Sequence, residues 1–135
     1  MKQIMKGHLH LHSSASDGQI KPEDILHSNL NFVAVTDHDI LPKISKFKEL
    51  EQNGIKVIPG MELSLSYKNK GFHLLAFYPK WQKVLGAKLA RHRQKRKKET
   101  LSMADFLESI GFFVDKKTLI EKRGTITKAN LADVV

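Results

Sequence analysis

Gly7-His8-Leu9-His10-Leu11-His12-Ser13-Ser14-Ala15-Ser16-Asp17-Gly18 sets three histidines on alternate positions and follows them, across a serine-rich loop, with a carboxylate. In a β-strand, residues at i, i+2 and i+4 share a face. His8, His10 and His12 would therefore converge on one side, with Leu9 and Leu11 buried on the other. Neutral imidazoles held that close, with Asp17 within reach, make a ready site for a divalent metal. Histidines of a purification tag run consecutively, whereas leucines separate these.

Working outward, the strand spans roughly Gln3 to His12, and Asp17-Gly18 closes the loop after it as a turn signal. A short helix follows from about Lys21, with Pro22 in its first turn and Ile25, Leu26 and Leu30 facing the core. The unbroken apolar run Asn31-Phe32-Val33-Ala34-Val35 suits a strand of a parallel sheet and stops at Thr36-Asp37-His38-Asp39. A second helix is expected from Leu41 to Asn53, carrying Ile44, Phe47, Leu50 and Glu51 at helical spacing and ending at Gly54. Ile55 to Ile58 is a third strand, leading through Pro59-Gly60 to Met61-Glu62-Leu63-Ser64, and Phe72 to Phe77 is a fourth. Tyr67 to Gly71 reads as a hairpin-type turn between Leu63–Tyr67 and that fourth strand. Alternating strands and helices predict βαβ units and a mostly parallel sheet, which binds ligands at the carboxyl ends of its strands.

Those ends carry the chemistry. His10 and His12 come from the first, Asp17 from the following loop, His38 from the second, Glu62 from the third and His73 from the fourth. One such histidine is ordinarily structural; six nitrogen and oxygen donors from four successive strand ends are hard to assign to chance. Imidazole mixed with carboxylate suits Mn, Fe or Zn, and a carboxylate such as Glu62 can bridge two ions. Such ions clamp a phosphate and activate water, so the expected reaction is hydrolysis by a metal-activated hydroxide.

The 135 residues, 41% hydrophobic and 27% charged, make one domain the default. With no cysteine, disulfides and thiolate ligands are excluded. No apolar run approaches the roughly 20 residues of a membrane span, and the N-terminus lacks a signal peptide's apolar block, so a cytoplasmic protein without a membrane partner is expected. The charge of +9 is concentrated: Lys80 to Lys98 holds nine Lys or Arg residues and no acid. Taking those nine from the 23 basic residues leaves 14 against 14 acidic ones. From about Gln82 this basic run forms a long helix continued by Leu101, Ala104, Leu107 and Ile110 to Gly111. A helix capped by Asp115 and carrying Leu119 and Ile120, then one capped by Thr127, complete the pattern. A localised basic patch favours phosphate-bearing partners. Trp81 and Phe112-Phe113 are expected to pack the helical piece on the sheet. His27 and His92 read as surface residues.

The runs His10 to Gly18, Ala34-Val35-Thr36-Asp37-His38-Asp39, Pro59-Gly60-Met61-Glu62 and His73-Leu74-Leu75 together resemble the PHP (polymerase and histidinol phosphatase) family. The nearest likeness is to its small phosphoesterases acting on nucleoside bisphosphates and short RNA. The resemblance implies an α/β fold, the N-terminal portion of a distorted (β/α)7 barrel with an inserted helical segment, binding up to three metals. It makes His10 and His12 ligands of one ion, Glu62 their bridge to a second that His73 also holds, and Asp17 with His38 ligands of a third. The family's carboxylate lies five residues after the second His of its HxH pair, which selects His10/His12 over His8/His10. Family members carry Asp at His8, leaving that residue either backing the ligands or plainly structural. Asp37 and Asp39, flanking His38, are expected to hold its ring through the other nitrogen. Arg93 and Arg96 match arginines that reach substrate phosphates, with a solvated basic face as the bland alternative. Asn130 stands where relatives have His, which it cannot replace in proton transfer.

The same likeness divides the chain into residues 1–81 of the barrel, 82–127 as the basic helical insert and 128–135 as the start of a further barrel helix. A closed barrel needs roughly 200 residues, and the family's later His and Asp-x-His are not found after His73. The expectation is an incomplete chain, weakly active alone, whose open sheet edge invites a homodimer or a complementing chain. The leading function is metal-dependent hydrolysis of phosphate esters of small molecules, nucleotides or short RNA. The rival is a non-catalytic phosphate or nucleic-acid binder using the basic helix.

Overall fold

The structure, a computed structural model, describes residues 4–40, 44–80, 83–122 and 124–135. Gln3, Leu41, Trp81 and Gln82, expected to start elements or to pack the helical piece, lie outside them. The chain divides into two compact units, up to Lys80 and beyond it.

The first unit is a four-stranded sheet in the order β1-β2-β3-β4: β1 (Gly7–Leu11), β2 (Phe32–Val35), β3 (Lys56–Tyr67) and β4 (Lys70–Phe77). β1 pairs parallel to β2 and β2 parallel to β3, while β4 returns antiparallel to β3. The parallel crossovers run through α1 (Pro22–Leu26) and through a 3₁₀ turn, Ile44–Phe47, that leads into α2 (Lys48–Gln52). Ile25, Val33, Val35, Phe47, Leu50, Ile55 and Val57 bury one face, with Leu11, Leu26 and Leu30 against them. Leu9 does not join this core and is 47% exposed, because alternation along β1 does not itself supply a layer to cover its face.

Pro59-Gly60 marks a change of partner within one continuous strand. Up to Pro59, β3 pairs parallel with β2; from Gly60 it pairs antiparallel with β4. Proline has no N–H to give a ladder, and at the switch only its carbonyl is used, accepting the Tyr78 N–H at 2.8 Å. Gly60 lets β3 pass close to β2, since an added Cβ would sit 2.8 Å from Thr36 Cγ2. The hairpin turns through Lys68 and Asn69, both left-handed at φ 48° and 61°, as a two-residue type I′ turn requires.

The second unit comprises α3 (Lys83–Ser109), α4 (Lys116–Glu121) and α5 (Lys128–Ala132). Its core is Ala104, Val114, Leu119, Ile126 and Leu131. Asp115 caps α4 by accepting the Thr118 N–H at 3.1 Å, and Thr127 caps α5. Phe112 and Phe113 follow the end of α3 and are 53% and 82% exposed. Among the described residues no helix is long and apolar enough to cross a membrane.

Candidate metal centre

Backbone pairing sets the site before any side chain is considered. The Thr36 N–H donates to the Leu11 carbonyl at 2.8 Å, tying the end of β2 to the end of β1. Beyond β2, the Glu62 N–H donates to the Asp37 carbonyl at 3.2 Å and the Asp39 N–H to the Glu62 carbonyl at 2.9 Å. This parallel bridge brings His38 level with Glu62. Asp39 turns the chain at φ 53°, and its carboxylate accepts the Ser64 N–H at 2.8 Å. Across the hairpin Ser64 faces His73, so His73 lies diagonal to Glu62 on one face of the sheet.

The six residues nominated as ligands are brought together around Glu62. Its Oε2 lies 2.8 Å from His10 Nε2 and 2.7 Å from His12 Nε2, and those two nitrogens are 3.0 Å apart. Its Oε1 lies 2.6 Å from His73 Nδ1. Asp17 meets His12 Nδ1 with Oδ1 at 2.7 Å and approaches His38 Nε2 with Oδ2 at 3.5 Å. His38 Nδ1 is 3.8 Å from Glu62 Oε2. Three donor groups result: His10, His12 and Glu62; His12, Asp17 and His38; and His38, Glu62 and His73. The grouping differs from the resemblance in that Asp17 also engages His12. Through Nδ1 it fixes the ring so that Nε2 faces Glu62.

The donor set fits divalent ions. A neutral imidazole has one N–H, yet both nitrogens of His12 face a carboxylate oxygen at 2.7 Å. With the Nδ1 proton on the Asp17 side, the Nε2 lone pair meets the lone pairs of Glu62. Only positive charge between them, a second proton or a metal ion, makes that contact favourable. In octahedral coordination, ligand bonds of about 2.1 Å at right angles separate their donors by about 3.0 Å. The triangle of His10 Nε2, His12 Nε2 and Glu62 Oε2 has nearly these edges.

Glu62 is buried, 3% exposed, which is the largest influence on its carboxyl and raises its pKa. The hydrogen bond with His10 and the charges of His38, His10 and His73, when protonated, outweigh that burial. The net effect holds the group below its ordinary value of 4.5. It is an anion poised for cations.

Asp37 corrects an expectation. Its carboxylate faces the serine loop and not the His38 ring, accepting the Ser13 N–H at 2.8 Å, the Ser13 hydroxyl at 2.7 Å and the Ser16 hydroxyl at 2.7 Å. From sequence, Ser13 to Gly18 is simply a polar loop. The only signal was two hydroxyls three residues apart beside a ligand. Gly18 lets this loop close, because a Cβ there would overlap the His12 carbonyl.

His8 is exposed on β1, ahead of a register irregularity between His8 and Leu11, and belongs to none of the donor groups among the described residues. Arg93 and Arg96 lie in the other unit, half-buried and three residues apart along α3. The buried amide of Asn130 is engaged in the cap of α5, its Oδ1 accepting the Thr127 N–H at 3.1 Å.

The family model of the PHP domain matches residues 8–120. A 5'-3' exoribonuclease of Haemophilus influenzae is 29% identical over 133 residues, which cover 92% of this chain and 48% of that protein. The 5'-3' exoribonuclease Rnm of Escherichia coli is 27% identical over 134 residues, 92% of this chain and 46% of that one. Among solved structures, a Bifidobacterium adolescentis protein assigned as a metal-dependent phosphoesterase superposes with a TM-score of 0.82 at 25% identity, over 98% of this chain and 50% of that one. A Chromobacterium violaceum amidohydrolase with bound sulfate and no metal gives 0.70 at 26% identity, over 79% and 40%. The chain spans about half the length of these relatives. A match over more than half of its residues, carried on the strands that bring the histidines and Glu62 together, makes this chain a member of the PHP domain family.

Proposed function

We propose that this chain takes part in metal-dependent hydrolysis of phosphate esters, of nucleotides or short RNA, with His10, His12, Asp17, His38, Glu62 and His73 holding the ions. The observation that carries the reading is the Glu62 carboxylate, which meets His10 and His12 through one oxygen and His73 through the other. Imidazole and carboxylate donors suit Mn, Fe or Zn. Bound there, such ions neutralise phosphate charge and lower the pKa of a coordinated water. Glu62 is the shared ligand, Asp17 orients His12, and Asp37 with Asp39 brace the loop and strand that carry the donors. Arg93 and Arg96 contribute positive charge to an anionic substrate. Relatives named as exoribonucleases and as a metal-dependent phosphoesterase support the substrate class.

A second reading, a phosphate or nucleic-acid binder without turnover, is favoured by the basic α3. Elemental analysis and an aryl phosphate assay separate the two. Hydrolysis predicts bound Mn, Fe or Zn, phosphate release that chelation stops, and loss of both in His10→Ala. Metal-free protein that binds RNA with steep salt dependence and releases no phosphate would establish the binder.

A further inference from the structure

The Asp37 carboxylate joins two segments whose next residues are both candidate ligands. Ser16 precedes Asp17, and Asp37 precedes His38. Asp37 and Ser16 are 1% and 0% exposed, so the hydrogen bonds between them are made away from water, where a carboxylate needs every donor it can find. Oδ1 accepts both the Ser13 N–H and the Ser16 hydroxyl, and Oδ2 accepts the Ser13 hydroxyl. The Ser13 oxygen in turn accepts the Ala15 N–H at 3.2 Å, which fixes the direction of its own proton toward Asp37. Otherwise the loop is closed by the Ser13 carbonyl, which accepts the Ser16 and Gly18 N–H groups at 3.1 and 3.2 Å. Those bonds shape the loop but do not tie it to β2.

We propose that Asp37, with Ser13 and Ser16, is a latch that positions Asp17 against His38, setting metal affinity chiefly at that donor pair and acting less on His10 and His73, which it reaches only through His12, His38 and Glu62. Asp37 is a positioning residue that touches neither metal nor substrate. The latch acts by geometry. It holds Asp17 Oδ2 and His38 Nε2 at 3.5 Å, a separation that one ion can span. Asp37→Asn would lose the carboxylate charge and turn an amide N–H₂ toward the Ser13 hydroxyl, since Oδ1 must keep accepting two donors. Supporting groups around metal ligands are commonly worth about 10- to 100-fold in affinity.

This inference rests on the metal-centre reading, and zinc titrations of ¹⁵N-histidine-labelled protein test the two separately. In the unaltered chain, ring signals of His10, His38 and His73 should shift on adding Zn²⁺; if none does, the metal-centre reading fails. In Asp37→Asn the His38 signals should need about 10- to 100-fold more zinc, and those of His10 and His73 a smaller increase. Ser16→Ala should give the same pattern with a smaller shift. His38 titrating unchanged in folded variants, or all three histidines weakening by the same factor, would overturn the latch. Circular dichroism checks the fold, and should Asp37→Asn not fold, the Ser13→Ala/Ser16→Ala double variant decides by the same criteria.

Discussion

The two units put charge to opposite uses. In the strand unit Asp37, Asp39 and Glu62 are buried, and each is met by groups from another strand or loop. In the helical unit the basic residues line a long helix. Lys95 makes an exposed 3.7 Å pair with Glu99, and Lys97 donates to the Ile120 carbonyl at 2.8 Å. A buried charge costs several kcal/mol unless its partners are in place, so its surroundings are specified atom by atom. An exposed charge costs little and constrains little. Substitutions of these buried carboxylates should therefore have large effects, and those of the exposed basic residues small ones.

Glu62 is the sharpest place to break that contrast. Glu62→Ala removes the oxygens that meet three imidazoles, and metal content should fall to background. Phosphate release should drop by on the order of 1,000-fold, since an ion's stabilisation of a phosphoryl transition state amounts to several kcal/mol. Plasma emission spectrometry and an aryl phosphate assay read both. Its pH signature also has a definite sign. A carboxyl depressed in the folded protein contributes stability in full above its ordinary value of 4.5, and loses it as pH falls below that through the folded value. Acid unfolding of metal-free protein should therefore separate the unaltered chain from Glu62→Gln at neutral pH and bring the two together in strong acid. A constant gap across the whole range would contradict the assigned direction.

The histidine pair gives the next largest effect and tests the register of β1. His10→Ala removes a donor 2.8 Å from Glu62 and should cost metal and activity together. His8→Ala, two residues away and exposed, should leave bound metal and phosphate release within about twofold, as surface substitutions do. Equal losses at both positions would place His8 among the working residues.

Why His10, His12, His38 and Glu62 could be read from sequence follows from where they sit. His10 and His12 lie at the end of β1 and His38 just beyond β2, where an apolar run gives way to a polar residue and the break is visible locally. Glu62 lies in the middle of β3, two residues past the Pro59-Gly60 partner switch. The latch was not visible, because Ser13 and Asp37 are 24 residues apart and nothing local says which loop a buried carboxylate faces. Leu9 was misplaced for a related reason: alternation gives the two faces of a strand but not whether a second layer covers one of them. The turn at Lys68-Asn69 and the caps Asp115 and Thr127 were legible because each is made by neighbours three or four residues apart. The sequence leads the third strand, Ile55 to Ile58, through Pro59-Gly60, and a proline has no ladder donor to offer. A partner switch that never calls on that donor appears only once β2 and β4 are both in place.

The smallest effects belong to α3, and they decide whether its charge is directed or diffuse. Arg93 and Arg96 are half-buried, whereas the Lys95 side chain between them is 75% exposed and pairs with Glu99, itself 65% exposed. If the two arginines contact phosphates, Arg93→Ala and Arg96→Ala should each weaken binding of short single-stranded RNA by several-fold. Each should also reduce the slope of log affinity against log salt by about 0.7, the counterion release expected per phosphate contact on a single strand. Lys95→Ala should alter neither quantity beyond a small uniform drop, because an exposed lysine acts through the overall field and is screened at about 8 Å in physiological salt. Fluorescence anisotropy at four or five salt concentrations measures slope and affinity together. Identical slopes for all three variants would mean that the helix attracts RNA through net charge alone, and the contrast between a built site and a diffuse one would then extend to every residue of α3.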